Sequence, residues 1–323
     1  MRTGSGWSWN CHGFETLLSS CRPREAHAWT AALRPWFKDN PELSQVSKTV
    51  RIIQITDTHL GPSKPHFNGN WQPLADWISG EKPDLVIHTG DLSVDGAVTA
   101  EDLEYSVNLL NALPVPVLSV PGNHDIGHMD DEAQPVDTAR LERWRRLVGP
   151  EFWFEDMDNW RLIGLNSLVF GTDSNWEAEQ FAWLEDTLKS AAGRRIAIFA
   201  HKPLFVDFPE EGDSGYWAVR PAARKRLFDL IGRHDIALHA SGHLHRAWTG
   251  KLGDADLVWA PASAFVVGAM VRELPGERIL GAAIHTFAED VRTEIVEIAE
   301  LTPFLLDDVL DEVYPPAKEE AAI

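Results

Sequence analysis

Five short apolar runs in this chain each end on residues that bind metal ions well, and this arrangement restricts the fold more than any other feature. Arg51–Thr56 stops at Asp57-Thr58-His59, and Asp84–Thr89 stops at Gly90-Asp91. Val115–Pro121 stops at Gly122-Asn123-His124-Asp125. Arg195–Ala200 stops at His201, and Asp235–Ser241 stops at Gly242-His243-Leu244-His245. Short continuous runs rich in Ile, Val and Leu read as strands buried on both faces. Laid side by side with one polarity, such strands bring their C-terminal ends to a single edge, where ligands enter open α/β sheets. That edge would carry two Asp, one Asn and five His, the donor set of a dinuclear metal site.

Carboxylate and imidazole donors without thiolate suit Mn, Fe or Zn rather than a structural zinc knot. Period-two geometry places Asp57 and His59 on the same side of an extended chain, and likewise His243 and His245. Glycine precedes Asp91, Asn123 and His243, and is expected to let the chain turn sharply after each strand. Not every histidine belongs to the set. His88 and His239, inside strands, are read as packed core residues, and His128 as a surface-loop residue, with contact to a substrate as the alternative. The fourteen Trp are read mainly as core or helix-face aromatics, with Trp71, Trp217 and Trp248 as loop residues near the motifs.

At 323 residues the chain can bury roughly three quarters of its unfolded surface. Its formal net charge of −20 argues against a basic face for a nucleic-acid polymer. An anionic substrate would need a local positive site, which two divalent cations would supply. Cys11 and Cys21 are too few for a disulfide framework, and no apolar stretch approaches the ~18 residues of a membrane span. The expectation is a soluble cytoplasmic protein with no signal-peptide core.

Residues 1–48 read as an N-terminal extension rich in Gly, Ser, Trp and Arg, with a helix over Ala26–Phe37. A loosely packed extension is expected there, with a substrate lid as the alternative. Residues 49–300 alternate strands and helices, the pattern of βαβ units. Helices are expected over Pro73–Ser79, after the cap Thr99, over Thr138–Val148, after a Ser174/Glu177 capping box, and from Pro221. Further strands are expected over Arg161–Ser167, Leu257–Phe265, Ile279–Phe287 and Val291–Ile298, the last two joined as a hairpin through Ala288-Glu289-Asp290. Residues 301–323 read as a C-terminal tail, expected to be disordered from Pro315.

Taken in order, Asp57/His59, Gly90-Asp91, Gly122–Asp125, His201 and Gly242–His245 resemble the calcineurin-like metallophosphoesterase superfamily, whose pattern is D-x-H, G-D, G-N-H-[DE], H and G-H-x-H. The resemblance covers residues 50–298. It implies an α/β fold of two mixed β-sheets packed face to face and flanked by helices. It further implies that Asp57, His59, Asp91 and His245 hold one di- or trivalent ion, and that Asp91, bridging, with Asn123, His201 and His243 holds the other. Ions ~3.5–4 Å apart lower the pKa of a shared water, and the resulting hydroxide attacks phosphorus in line. His124 is the expected general acid, and Asp125 or Asp95 the expected carboxylate orienting a site histidine.

The short segments Thr89–Leu92 and Pro121–Asp125 are most similar to bacterial class III cyclic nucleotide phosphodiesterases. Phosphoprotein phosphatases of the superfamily follow G-D with Asp-Arg-Gly; here Ser93-Val94-Asp95-Gly96 stands instead, so the phosphate-clamping Arg is absent and a phosphoprotein substrate is not expected. His201-Lys202-Pro203 departs from the His-His-Pro of cyclic phosphodiesterase relatives, which makes Lys202 a candidate for altering preference. Gly61–Trp71 and Val206–Trp217 are expected at the pocket rim. The leading reading is a small-molecule phosphodiesterase, with a 3′,5′-cyclic nucleotide as substrate. A phosphomonoesterase or pyrophosphohydrolase on the same core is the alternative. A non-catalytic scaffold is disfavoured because no ligand is missing.

Overall fold

The computed structural model describes residues 49–268 and 272–314. The helix expected over Ala26–Phe37, both cysteines and the segment from Pro315 lie outside the described residues.

The first apolar run forms β1 (Val50–Ile55), flanked in parallel by β2 (Leu85–His88), which pairs in turn with β3 (Val117–Ser119). The hairpin strands β10 (Gly281–Phe287) and β11 (Val291–Glu297) join the other side of β1 antiparallel, in the order β11-β10-β1-β2-β3. A second sheet runs β4-β5-β6-β7-β9-β8. Its parallel centre is β5 (Trp160–Leu165), β6 (Arg195–Ala200), β7 (Ile236–Ser241) and β9 (Ala255–Trp259). Antiparallel edge strands β4 (Trp153–Met157) and β8 (Trp248–Leu252) complete it.

The five runs therefore divide between two sheets rather than lining one edge: three in the first and two in the second. Side-chain alternation explains why both faces of β1 are apolar. Ile53 and Ile55 pack with Leu74 and Ile78 of α1 (Trp71–Glu81), Leu103 and Leu110 of α2 (Ala100–Asn111), and Trp144 of the helix Thr138–Leu147. Ile52, with Leu85 and Ile87 of β2, packs instead against Leu162, Phe199 and Leu238 of the second sheet. The outer face of that sheet is covered by Phe181 and Leu184 of the helix Asn175–Lys189 and Leu227 and Leu230 of the helix Pro221–Ile231. The result is the expected sandwich, with helices outside two mixed sheets.

Several local expectations have direct counterparts. Thr99 accepts from Glu101 N–H to cap α2, and Ser174 accepts from Glu177 N–H. Glu177 turns its carboxylate to the N–H groups of Gly171 and Asp173, so only half of the expected capping box forms.

One polar crossing fastens the sheets close to the motif ends. Gln54 of β1 donates to Thr89 Oγ1 at 2.9 Å and to the Ser241 carbonyl of β7 at 3.1 Å, and its Oε1 lies 3.0 Å from His285 Nε2. Residues 301–314 do not run off as a tail. Leu305 bridges to Val266, and Val313 is fully buried among Phe67, Val94, Ala264 and Phe265. Among the described residues, no helix is long and apolar enough to cross a membrane.

Candidate metal centre

The ends of β1, β2 and β7 leave their strands through left-handed turns. Asp57, His59, Asp91, His243 and His245 have φ of 53°, 42°, 54°, 69° and 51°. Non-glycine residues in this region cost about 1–3 kcal/mol each, a strain concentrated at functional sites. Asp57 and His59 thus converge through turned backbone, not through the extended geometry expected of Asp-x-His. Backbone bonds hold the turns, with Asp57 N–H donating to the Gly90 carbonyl at 3.0 Å and His59 N–H to that of Asp91 at 3.1 Å.

The glycines act differently from one another. Gly90, at φ 94°, makes the turn expected before Asp91. Gly122 is extended, with φ −106°, and is needed for space: a Cβ there would lie 2.1 Å from Asp91 Oδ1.

All seven sequence-predicted ligand positions meet at the junction of the two sheets. His245 Nε2 lies 3.4 Å from Asp57 Oδ1 and 3.3 Å from His59 Nε2. His201 Nε2 lies 3.3 Å from Asp91 Oδ2, 3.1 Å from Asn123 Oδ1 and 3.1 Å from His243 Nδ1. Donor atoms group as Asp57/His59/His245, as Asp91/His201/His243, and between them as His59/Asp91/His124. His124 is thereby placed in the same cluster.

Two observations test the fit of this cluster to metal ions. Asp57 Oδ1 is buried without a hydrogen-bond partner while two imidazole nitrogens face it. An uncompensated buried carboxylate oxygen is costly unless a cation meets it. Further, each of four histidines has its outer ring nitrogen held by a fixed oxygen. His201 Nδ1 meets the Thr89 carbonyl at 2.8 Å and His245 Nδ1 the Phe265 carbonyl at 2.9 Å. His243 Nε2 meets the Tyr216 carbonyl at 2.9 Å, and His59 Nδ1 the Tyr314 hydroxyl at 3.3 Å. The three carbonyls fix the tautomer, and all four partners turn the other nitrogen inward, the usual outer support of metal-binding histidines.

The buried groups are pushed in opposite directions. Burial works against ionisation of Asp57 and Asp91, yet the neighbouring histidines, His245 for Asp57 and His201 for Asp91, hold both carboxyls well below the usual range. Burial opposes charge on His201, but Asp91 and Asp57 lift it to about 9. His59 and His243, chiefly by burial, are driven well below their ordinary value and stay neutral.

Some expectations for nearby residues need correction. Neither Asp125 nor Asp95 orients a site histidine. Asp125 accepts from Ser93 N–H at 2.9 Å, Ser93 Oγ–H at 2.6 Å and Gly122 N–H at 3.0 Å, which ties the Asp91 and Asn123 loops together. Asp95 pairs with Lys64 at 2.9 Å. Backbone carbonyls and a tyrosine do the orienting instead. His128 is buried rather than a surface residue, with Lys202 Nζ 3.0 Å from its Nε2. Trp71 begins α1, and Trp248 lies in β8 against Trp259 at 4.4 Å, so both belong to regular elements rather than loops. The aromatics at the cleft are Tyr216 and Tyr314. Tyr216 lies in a segment expected at the rim, whereas no local signal marked Tyr314.

With this geometry in place, residues 50–247 match the model of the calcineurin-like phosphoesterase family. The chain belongs to this family. A probable glycerophosphodiester phosphodiesterase of Arcobacter nitrofigilis is 30% identical over 210 residues, covering 61% of this chain and 72% of the relative. A 3′,5′-cyclic-nucleotide phosphodiesterase of Nostoc sp. is 27% identical over 252 residues, covering 72% and 87%. A human serine/threonine-protein phosphatase is 27% identical over 244 residues, covering 71% and 73%. The solved structure of a purple acid phosphatase from yellow lupin shares the fold, with a TM-score of 0.55 at 14% identity over 85% of this chain and 58% of that one. As a calcineurin-like phosphoesterase, the chain is a metal-dependent phosphoric ester hydrolase with a dinuclear centre. Diesterase and phosphatase names occur at the same identity, so the choice of ester rests on the cleft.

Proposed function

We propose that this phosphoesterase cleaves a small-molecule phosphodiester, with 3′,5′-cyclic nucleotides as the favoured class. One observation carries the reading. His124 opens into a cleft of about 660 Å³ whose lining, among the described residues, has a single Lys or Arg, Lys64, already paired with Asp95. Asp130, which pairs with Arg220, lines the same cleft together with Asp131 and Glu132. A monoester dianion would set a second formal charge against those carboxylates, whereas a diester sets only one. The volume lies within the range of small-ligand sites. The name of the Nostoc relative supports the cyclic nucleotide class.

In this reading Asp57, His59, Asp91 and His245 hold one ion, and Asp91, Asn123, His201 and His243 the other. When bound, the ions supply an activated water and neutralise charge on the phosphoryl group. His124 protonates the leaving alkoxide. Its ring borders the cleft, with Nε2 4.0 Å from Asp91 Oδ2, close enough to the cluster to reach a bound ester. Lys202 does not line the cleft; Nζ is held between His128 Nε2 and the Gly215 carbonyl, 3.3 Å away. Its effect on preference would therefore pass through His128 and the turn Gly215–Trp217. The human phosphatase relative favours a monoesterase as the second reading.

The test is turnover by the Mn²⁺-supplemented protein of bis(p-nitrophenyl) phosphate against p-nitrophenyl phosphate, followed by cyclic nucleotides. Faster monoester hydrolysis would overturn the diesterase assignment.

A further inference from the structure

Building on the phosphoesterase reading above, we infer that Tyr216 and Tyr314 bind the non-bridging phosphoryl oxygens of the substrate, two neutral O–H donors in the place of a cationic clamp. The chain has three tyrosines, and two of them face the cleft, one beside each ligand group. Tyr216, on the turn Gly215–Trp217, has its ring 4.7 Å from that of His243 and its Oη 3.0 Å from Asn123 Nδ2. Tyr314, at the end of the refolded C-terminal segment, has its ring 4.9 Å from that of His124 and its Oη 3.3 Å from His59 Nδ1.

The ligand geometry sets the direction of both hydrogen bonds. Asn123 turns Oδ1 toward His201 and the cluster, so its Nδ2 has only protons to offer, and Tyr216 must accept. His59 turns Nε2 toward Asp57, Asp91 and His245, so Nδ1 carries the proton, and Tyr314 must also accept. A phenol both donates and accepts. Each hydroxyl therefore keeps its own proton to give, and among the described residues neither has a protein acceptor for it. Two uncharged donors serve a singly charged phosphodiester without the cation that a dianion would require. The arrangement thus links the ligand shell, the substrate and the ester preference.

Two measurements test this. With the zinc-loaded chain carrying 3-fluorotyrosine, inorganic phosphate should shift two of the three fluorine resonances and leave that of Tyr105, in α2, unmoved. Tyr216→Phe and Tyr314→Phe assign the peaks. Each variant should also raise KM for bis(p-nitrophenyl) phosphate and the inhibition constant of inorganic phosphate roughly tenfold, the worth of one hydrogen bond to a charged group, with kcat changed less. Both variants are assayed at saturating metal, with metal content measured alongside, because each hydroxyl also meets a candidate ligand side chain, Asn123 or His59. Unmoved resonances in a chain that phosphate inhibits would overturn the tyrosine assignment and leave the phosphoesterase intact. A chain that neither binds phosphate nor turns over either ester would sink both readings. Should a Phe variant fail to fold, the fluorine spectrum of the unsubstituted chain still decides.

Discussion

The backbone N–H of His124 donates to Asp91 Oδ1 at 2.8 Å, so the main chain, not the imidazole, anchors this residue to the cluster. Truncating the side chain leaves that anchor in place. His124→Ala is expected to retain the metals yet lose about 10²- to 10⁴-fold in kcat, the usual worth of a general acid. Metal analysis alongside kinetics checks it. An emptied site in the variant would move His124 from proton donor to ligand.

Asp91 joins the two halves of the cluster, since Oδ2 faces His201 at 3.3 Å and His59 at 3.8 Å. Asp91→Ala is expected to abolish metal binding and turnover together. Chelation of the wild-type chain should lower its melting temperature. Restoring an ion at about 100 times its Kd should return about 2.7 kcal/mol. Calorimetry with and without metal measures this, and a metal-independent melting temperature would contradict a shared site.

Gly122 lies against Asp91 with no room for a side chain, since a Cβ would meet Asp91 Oδ1 at 2.1 Å and its backbone N at 2.2 Å. Gly122→Ala is expected to cost about 1–3 kcal/mol through overpacking and to weaken metal binding. Denaturant unfolding and metal titration of the variant test both effects. Wild-type affinity would mean that the loop moves without consequence.

His285 and His239 are buried and neutral, their pKa values held by burial at about 3 and about 4. The unfolded chain binds these protons below about pH 6.5 while the folded chain refuses them. Their contribution to stability is therefore complete above pH 6.5 and is lost as pH falls toward the folded values, at about 1.4 kcal/mol per pH unit per group. Unfolding free energy measured at pH 7 and pH 4.5 should show the fall, and His285→Gln should flatten it. An equal slope in the variant would remove His285 as a source.

The central strands were legible because β1, β2, β6 and β7 are runs of Ile, Val, Leu and Ala with both faces buried. Strands β4 and β8 were not. They are edge strands with one side partly exposed, and Glu155, Asp156, Gly250 and Lys251 break the apolar signal. The metal-ligand candidates were legible for a local reason, because each lies within about four residues of a strand end. His128 was misread since it is buried against distant residues, with its partner Lys202 lying 74 positions away.

From the linear chain alone came the strand-then-ligand pattern and, with it, the family and the metal-dependent chemistry, because each depends on a few adjacent residues. Folding decided how the runs are shared between two sheets, how Asp57 and His59 turn inward through left-handed backbone, and which oxygens orient the histidines. It also brought Tyr314 to His59 across 255 residues. Contacts of that range arise only when whole layers pack, so no window of sequence can contain them.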